Sequence, residues 1–223
     1  MQRARIVSFD MDGTITDRSF ADSVWLEGIP CQYAVENNLS FKTAKRKVIS
    51  EYGKVGKEVL EWYDLSYWIE RLSLDISPKE ILSSFQHRIK LFPEVPAVLQ
   101  KLRDEALRLI IVTNARREFA DFELKTTNII GYFEHVFSTT SDFGLVKNTV
   151  TAYRKVCDLC NVSPEEVIHV GDDESFDFYV PKKLGITAFY LDRICEHSGP
   201  FTVCSLKDLS KKLLDVPNRR AIR

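Results

Sequence analysis

Residues 7–17 read VSFDMDGTITD. An apolar run stops at Asp10, a second carboxylate, Asp12, follows two residues later, and Gly13 and Thr14 come next. Two acids that close repel one another, so their place at the end of a buried strand calls for a chemical reason. Ile6 to Phe9 is short and apolar enough to be a strand covered on both faces. Similar runs recur at Leu109–Val112, His135–Phe137, Val167–Val170 and Ala188–Leu191. Helical patterns separate them at 94–106, 117–127, 147–160 and 177–184, with Lys147 opening the third. This alternation predicts a three-layer α/β sandwich around a parallel sheet. Ser163-Pro164-Glu165-Glu166 carries a capping serine, a proline at the first helical position and a glutamate at the third, so a helical turn should precede the fourth strand.

Residues 18–90 break that rhythm. They contain helical patterns and no convincing strand. Val55, Val59, Trp62, Leu65, Ile69 and Leu72 recur at three- and four-residue steps as one amphipathic stripe, and Ser77-Pro78-Lys79-Glu80 is a second capping box. The expected organisation is therefore a core of 1–16 and 91–216, a helical insertion over 17–90, and a basic tail over 217–223.

The ends of the expected strands are where the polar residues collect. Strand one ends at Asp10, strand two in Thr113-Asn114, and strand four in Gly171-Asp172-Asp173 with Asp177 just beyond; Lys147 lies ahead of strand four. In a parallel sheet these groups converge on one edge, where α/β folds bind ligands. Any one aspartate there is best read as a helix cap or turn residue. Several acids around one point need a cation, and hard oxygen ligands suit Mg²⁺.

With these residues in hand, the chain resembles the haloacid dehalogenase (HAD) superfamily. Asp10-Met11-Asp12-Gly13-Thr14, then Thr113, Lys147 and Gly171-Asp172-Asp173-(x3)-Asp177 match its four motifs in order and spacing. The helical insertion falls where that superfamily carries a C1-type cap. The resemblance implies a Rossmann-like sheet of order 3-2-1-4-5 and assigns roles. Asp10 would be the nucleophile that forms an aspartyl-phosphate, and Asp12 the general acid and base. Thr113 and Lys147 would complete the catalytic set. Gly13, Thr14, Asn114 and Arg116 would bind substrate. Asp10, the Asp12 carbonyl, Asp172 and, in the outer sphere, Asp173 would hold Mg²⁺, while Asp177 orients Lys147 or a metal-bound water. An acid at position 12 favours phosphate esters over carbon–halogen bonds, because a halide leaves without a proton. The expected activity is a Mg²⁺-dependent phosphatase acting on a small phosphorylated metabolite. The alternatives are a phosphosugar mutase of the β-phosphoglucomutase type and a non-catalytic binding protein on the same scaffold.

Composition narrows the field further. A hydrophobic fraction of 44% with 28% charged residues describes a globular chain, and a net charge of -1 offers no general attraction to nucleic acid or anionic membrane. With no membrane-length apolar run and no signal-like start, a cytoplasmic location is expected. Five scattered cysteines do not form a disulfide framework; Cys157 and Cys160 fall on a helical pattern and read as core, whereas Cys195 and Cys204 could pair in an oxidising or hyperthermophilic setting, which sequence alone does not establish. Among the aromatics of the insertion, Trp25, Trp62, Tyr63, Tyr67 and Trp68 are expected mostly to pack its helices together. Lys42, Lys45, Arg46 and Lys47 read as a solvated helix face, Asp17 as a helix cap, and His169 as a satisfied core residue.

Overall fold

The first strand, β1 (Ile6–Phe9), is buried along its whole length at the centre of a six-stranded sheet. The computed structural model describes residues 4–214. β2 (Arg108–Thr113), β3 (His135–Ser138), β4 (Val167–Gly171), β5 (Thr187–Leu191) and β6 (Thr202–Val203) complete the sheet in the order β3-β2-β1-β4-β5-β6. All five pairings are parallel, and Phe9 sits opposite both Ile111 and Val170. The order expected from the family resemblance is present. The two-residue β6 extends it, and a segment that short carries no periodicity from which to read it.

Side chains alternate across the sheet as a period of two requires. Val7, Phe9, Leu109 and Ile111 point into one apolar layer, and Ile6, Ile110 and Val112 into the other. Ser8, the polar member of β1, is buried and bonded to His169 of β4.

The insertion between β1 and β2 is helical: α1 (Ser19–Ser23), α2 (Ile29–Glu36), α3 (Phe41–Val55), α4 (Leu65–Arg71) and α5 (Pro78–Ser84). The stripe from Val55 to Leu72 is not one helix. α3 stops at Gly56, whose φ of 79° leaves the helical region, and a short 3₁₀ turn, Leu60–Tyr63, separates it from α4. Gly56 ends the helix because a left-handed φ costs glycine little. The capping box at Ser77 forms in full. These helices share an apolar cluster that includes Phe20, Val48, Leu65 and Trp68, and Phe119 from the core joins it. The two connections to the sheet run side by side, Thr16 pairing antiparallel with Leu91 and Asp17 donating its N–H to Lys90 at 2.9 Å.

The layers are filled by α6 (Val95–Asp104), which leads into β2, and beyond β2 by α7 (Arg117–Thr127), α8 (Thr139–Asp142), α9 (Val150–Cys160), α10 (Val180–Leu184) and α11 (Leu206–Leu214). α9 begins three residues after Lys147, so the lysine lies in the preceding turn and does not open the helix. The capping box at Ser163 is present before β4. Cys157 and Cys160 are core residues of α9, and Cys195 is joined to Cys204 as a disulfide. Among the described residues no helix is long and apolar enough to cross a membrane. The basic tail, 217–223, lies outside the described residues.

Candidate active site

β1, β2 and β4 deliver their carboxyl ends to one edge of the sheet, and the polar residues that follow them meet there. Asp10 continues β1, its N–H donating to Val170 of β4 at 2.8 Å. Opposite it lies Lys147, only 2% exposed, whose ammonium donates to Asp10 Oδ1 at 2.5 Å, to Asp177 Oδ1 at 2.7 Å and to the Val112 carbonyl at 3.0 Å. Burial works against the charged ammonium, but Asp10 and Asp177 outweigh it and hold the Lys147 pKa above its ordinary value. Burial together with Asp177 and Asp172 pushes Asp10 up, against the pull of Lys147. Asp10 is thus set among like charges, with Lys147 as its close cation.

Asp177 belongs to a π-helical stretch, Glu174–Tyr179, that turns its side chain back under the strand ends. Its Oδ2 accepts from the Asp173 N–H at 3.1 Å, and its Oδ1 also lies 3.1 Å from His169 Nε2. Ser8 Oγ is 2.8 Å from His169 Nδ1. A neutral imidazole protonated on Nε2 satisfies both contacts, and burial lowers the His169 pKa in keeping with the neutral form. Tyr153 closes the group, its hydroxyl donating to the Phe176 carbonyl at 2.8 Å and standing 3.1 Å from His169 Nε2. Burial alone would raise Asp177, yet Lys147 and His169 hold it well below the usual carboxylate range. Gly171 makes room for this arrangement, because a Cβ there would strike the Asp177 side chain.

Asp172 is held differently. Arg18, at the entrance to the insertion, donates to its Oδ2 from Nε at 3.0 Å and from Nη2 at 2.9 Å. Gly13 has φ of 83°, and a Cβ on it would strike the Asp172 carboxylate, so this position must be glycine on both counts. Oxygens of Asp10, Asp172 and Asp177 all lie within 4.8 Å of one another, an all-oxygen set suited to a divalent cation. Asp173 is not in this set: its Oδ1 accepts from the N–H groups of Ser175 and Phe176, and its Oδ2 is bound by Lys57 from the insertion at 2.6 Å. Asp173, expected in the outer sphere, thus lies outside the close set, and Asp177 is its third carboxylate.

Asp12 lines the cavity, and one of its carboxylate oxygens, Oδ1, is buried without a hydrogen-bond partner. Burial pushes its pKa up to about 6 against the nearby Arg18, with Asp172 and Asp22 adding to the rise. Behind it on α7 lies Glu123, fully buried and without a partner for either oxygen; burial and Asp12 raise its pKa well above the ordinary value.

The remaining expected residues divide. Thr113 and Asn114 line the cavity. Thr113 Oγ1 accepts from the Ala115 N–H, and Asn114 Oδ1 accepts from the Lys147 N–H at 2.8 Å while its amide donates to Tyr63 of the insertion. Gly13 and Thr14 instead close the β1 loop, their N–H groups donating to Thr16 and Met11, and Arg193 donates to both of their carbonyls. Arg116 lines the cavity and pairs with Asp64 of the insertion at 3.1 Å; Arg117 turns away to Asp142. Asp17 accepts from the Ser19 N–H one residue ahead of the N-cap of α1, which is Arg18, and Asn148 reaches across to Glu58. Trp25, Trp62 and Tyr63 line the cavity, whereas Trp68 is buried among the helices. The lysines of α3 at 42, 45 and 47 do not reach it.

Sequence reasoning missed Arg18, Lys57 and Glu123. For Glu123 a signal existed: it shares the apolar face of α7 with Phe119, Ala120 and Leu124, where a charge is out of place.

Comparison with known proteins agrees with this geometry. The family pattern of the haloacid dehalogenase-like hydrolases matches residues 4–182. A GMP/IMP nucleotidase of Escherichia coli is 26% identical over 186 residues, spanning 81% of this chain and 82% of its own. A glyceraldehyde 3-phosphate phosphatase of Pyrococcus furiosus is 28% identical over 200 residues, 83% of this chain and 80% of its own. The crystal structure of a HAD phosphatase from Thermococcus onnurineus superposes with a TM-score of 0.83 at 26% identity, covering 95% of this chain and 98% of that one.

Proposed function

Because the chain belongs to the haloacid dehalogenase-like hydrolases, we propose that it hydrolyses a small phosphate monoester, with Asp10 as nucleophile and Mg²⁺ as cofactor. The observation that carries this reading is Asp12. It lines the same cavity as Asp10, two residues further along the chain, and burial pushes its pKa up to about 6. A phosphate ester needs a proton delivered to its leaving oxygen, and an acid that titrates near neutrality both gives and retrieves one efficiently. The names of the two relatives, a nucleotidase and a triose phosphate phosphatase, support a phosphorylated metabolite as substrate.

The oxygen-only cluster fits a hard divalent cation. Asp10, Asp172 and the Asp12 carbonyl would hold it, with Asp177 beside them, and bound there it supplies the positive charge that lets a phosphate dianion approach a carboxylate. The chain's own groups do the rest. Lys147 fixes the Asp10 carboxylate for in-line attack on phosphorus, forming an aspartyl-phosphate as the ester P–O bond breaks. Asp12 gives its proton to the departing alkoxide. It then takes a proton from the water that attacks the aspartyl-phosphate, releasing inorganic phosphate and restoring Asp10. The Thr113 hydroxyl and the Asn114 N–H receive the phosphoryl oxygens, and Lys147 offsets their charge. The insertion closes over the site through Lys57–Asp173, Arg116–Asp64 and Asn148–Glu58 and excludes bulk water.

The test is hydrolysis of p-nitrophenyl phosphate by the purified protein with Mg²⁺, with EDTA, and by Asp10→Asn. Cation-dependent release that disappears in the variant is expected. Equal release with EDTA, or an active variant, contradicts the reading.

A further inference from the structure

The cavity above the carboxylates has a volume of about 530 Å³, far more than a phosphate ester of two or three carbons fills. Its upper wall is aromatic and continuous. The Trp25 ring stacks on Phe119 with centroids 5.4 Å apart and planes 9° from parallel. Tyr52 meets Trp25 edge-on at 6.1 Å, and Trp62 meets Tyr52 at 6.0 Å. The Tyr52 hydroxyl donates to the Trp25 carbonyl at 3.0 Å, so the wall is fixed by its own packing before any ligand arrives. Phe119 and Tyr52 are buried, whereas Trp25 and Trp62 remain partly open where they line the cavity. Indole surface left open in a water-filled cavity is unfavourable unless a flat apolar group covers it.

The charged groups of the same cavity argue in the same direction. Arg18 is spent on Asp172, Lys57 on Asp173 and Arg116 on Asp64. Each thus faces a carboxylate, and among the described residues that line the cavity the acids outnumber the cations, so it offers no excess of positive charge to a second phosphate or a carboxylate. Asp22, on its rim, repels either.

Resting on the phosphatase reading, we infer that the substrate is a phosphate monoester whose leaving alcohol carries a planar, uncharged aromatic ring, as a nucleoside monophosphate does, with the ring held against the Trp25–Tyr52–Trp62 wall while the phosphate reaches Asp10. Trp25 and Trp62 would be specificity-determining residues; they touch the leaving group and take no part in the proton transfers.

Two measurements test this. In the first, kcat/KM is compared for IMP, GMP and AMP against glyceraldehyde 3-phosphate and phosphoglycolate, with p-nitrophenyl phosphate as the control for competence. Nucleotides should exceed both small aliphatic esters by about 10-fold or more, the range that base stacking on aromatic side chains supplies. Parity, or preference for phosphoglycolate, overturns the inference and leaves the phosphatase reading intact. In the second, inosine and IMP are titrated into Asp10→Asn protein and followed by tryptophan fluorescence, then into Asp10→Asn carrying Trp25→Ala or Trp25→Phe. Saturable quenching is expected, with affinity about 10-fold weaker in the alanine variant and restored in the phenylalanine variant, which keeps a ring. Equal losses in the two, or no saturation, overturn the inference. This binding experiment needs no turnover, so it reads the ring-binding role of the wall separately from the phosphatase reading, whose own failure shows in the p-nitrophenyl phosphate control.

Discussion

The ammonium of Lys147 lies 2.5 Å from Asp10, its neighbour in space across 137 residues of chain, and 2.7 Å from Asp177. One buried cation thus bridges two buried carboxylates that would otherwise repel each other. Replacing Lys147 by methionine keeps the length of the side chain and removes the charge. Breaking a buried pair from one side typically costs about 3–5 kcal/mol. Urea denaturation of Lys147→Met should show a loss of that order without divalent cation, partly recovered when Mg²⁺ is added, and phosphatase activity should be lost.

The carboxylate cluster makes the metal-free protein sensitive to pH, with a sign that can be worked out. The folded pKa of Asp12, about 6, lies above its ordinary 3.8, so between about pH 4 and 6 the folded state binds more protons than the unfolded one. Stability contributed this way is present below that window and declines as pH rises through it. Asp10 and Glu123, both raised, act in the same sense, whereas the depressed Asp177 contributes stability that is lost only at lower pH. In EDTA the melting temperature should therefore fall from pH 4.5 to pH 7. Saturating Mg²⁺ should flatten the fall, and Glu123→Gln should reduce it.

Asp12 acts twice in the proposed cycle, and a good leaving group separates the two steps. p-Nitrophenolate departs without a proton, so Asp12→Asn should release a burst of about one equivalent of nitrophenol and then stall, because no base activates the hydrolytic water. An alkyl phosphate, which needs the acid first, should give no burst. Steady-state rates on alkyl esters should drop by about 10²- to 10⁴-fold. Stopped-flow absorbance with the variant provides the check.

Arg18 occupies the Asp172 carboxylate with two hydrogen bonds, so arginine and cation compete for the same oxygens. Arg18→Gln removes the competitor's charge. Calorimetric titration of Mn²⁺ or Mg²⁺ into this variant should give tighter binding than the parent by several-fold, a change in the dissociation constant that does not depend on turnover.

How much of this could be read from the chain follows from what kind of signal each residue leaves. Val7 to Asp12 announces both a buried strand and a reactive end, because apolar continuity and paired acids are local features. Thr113, Lys147 and Asp172 become legible only as a set whose order and spacing match a family. The helix at Arg117–Thr127 was expected with the right limits, since its ends coincide with changes in polarity. Pattern misled where backbone conformation decides. Gly56 splits a stripe whose periodicity alone reads as a single helix. Asp173 and Asp177, one turn apart, could not be told apart until the π-helical stretch sent the second toward Lys147 and left the first to cap the helix. Arg18 and Lys57 reach Asp172 and Asp173 across more than a hundred residues, and no local pattern encodes such a pairing.

During turnover Asp10 is expected to carry the phosphoryl group. The most direct measurement is to quench the protein during p-nitrophenyl phosphate turnover in Mg²⁺, reduce it with borohydride, and locate the modified residue by peptide mass spectrometry. An acyl phosphate on Asp10 is reduced to homoserine at position 10, and the account predicts that conversion there, dependent on substrate and cation and enriched in Asp12→Asn. Turnover with Asp10 unmodified in both proteins, or modification at another carboxylate, would contradict it.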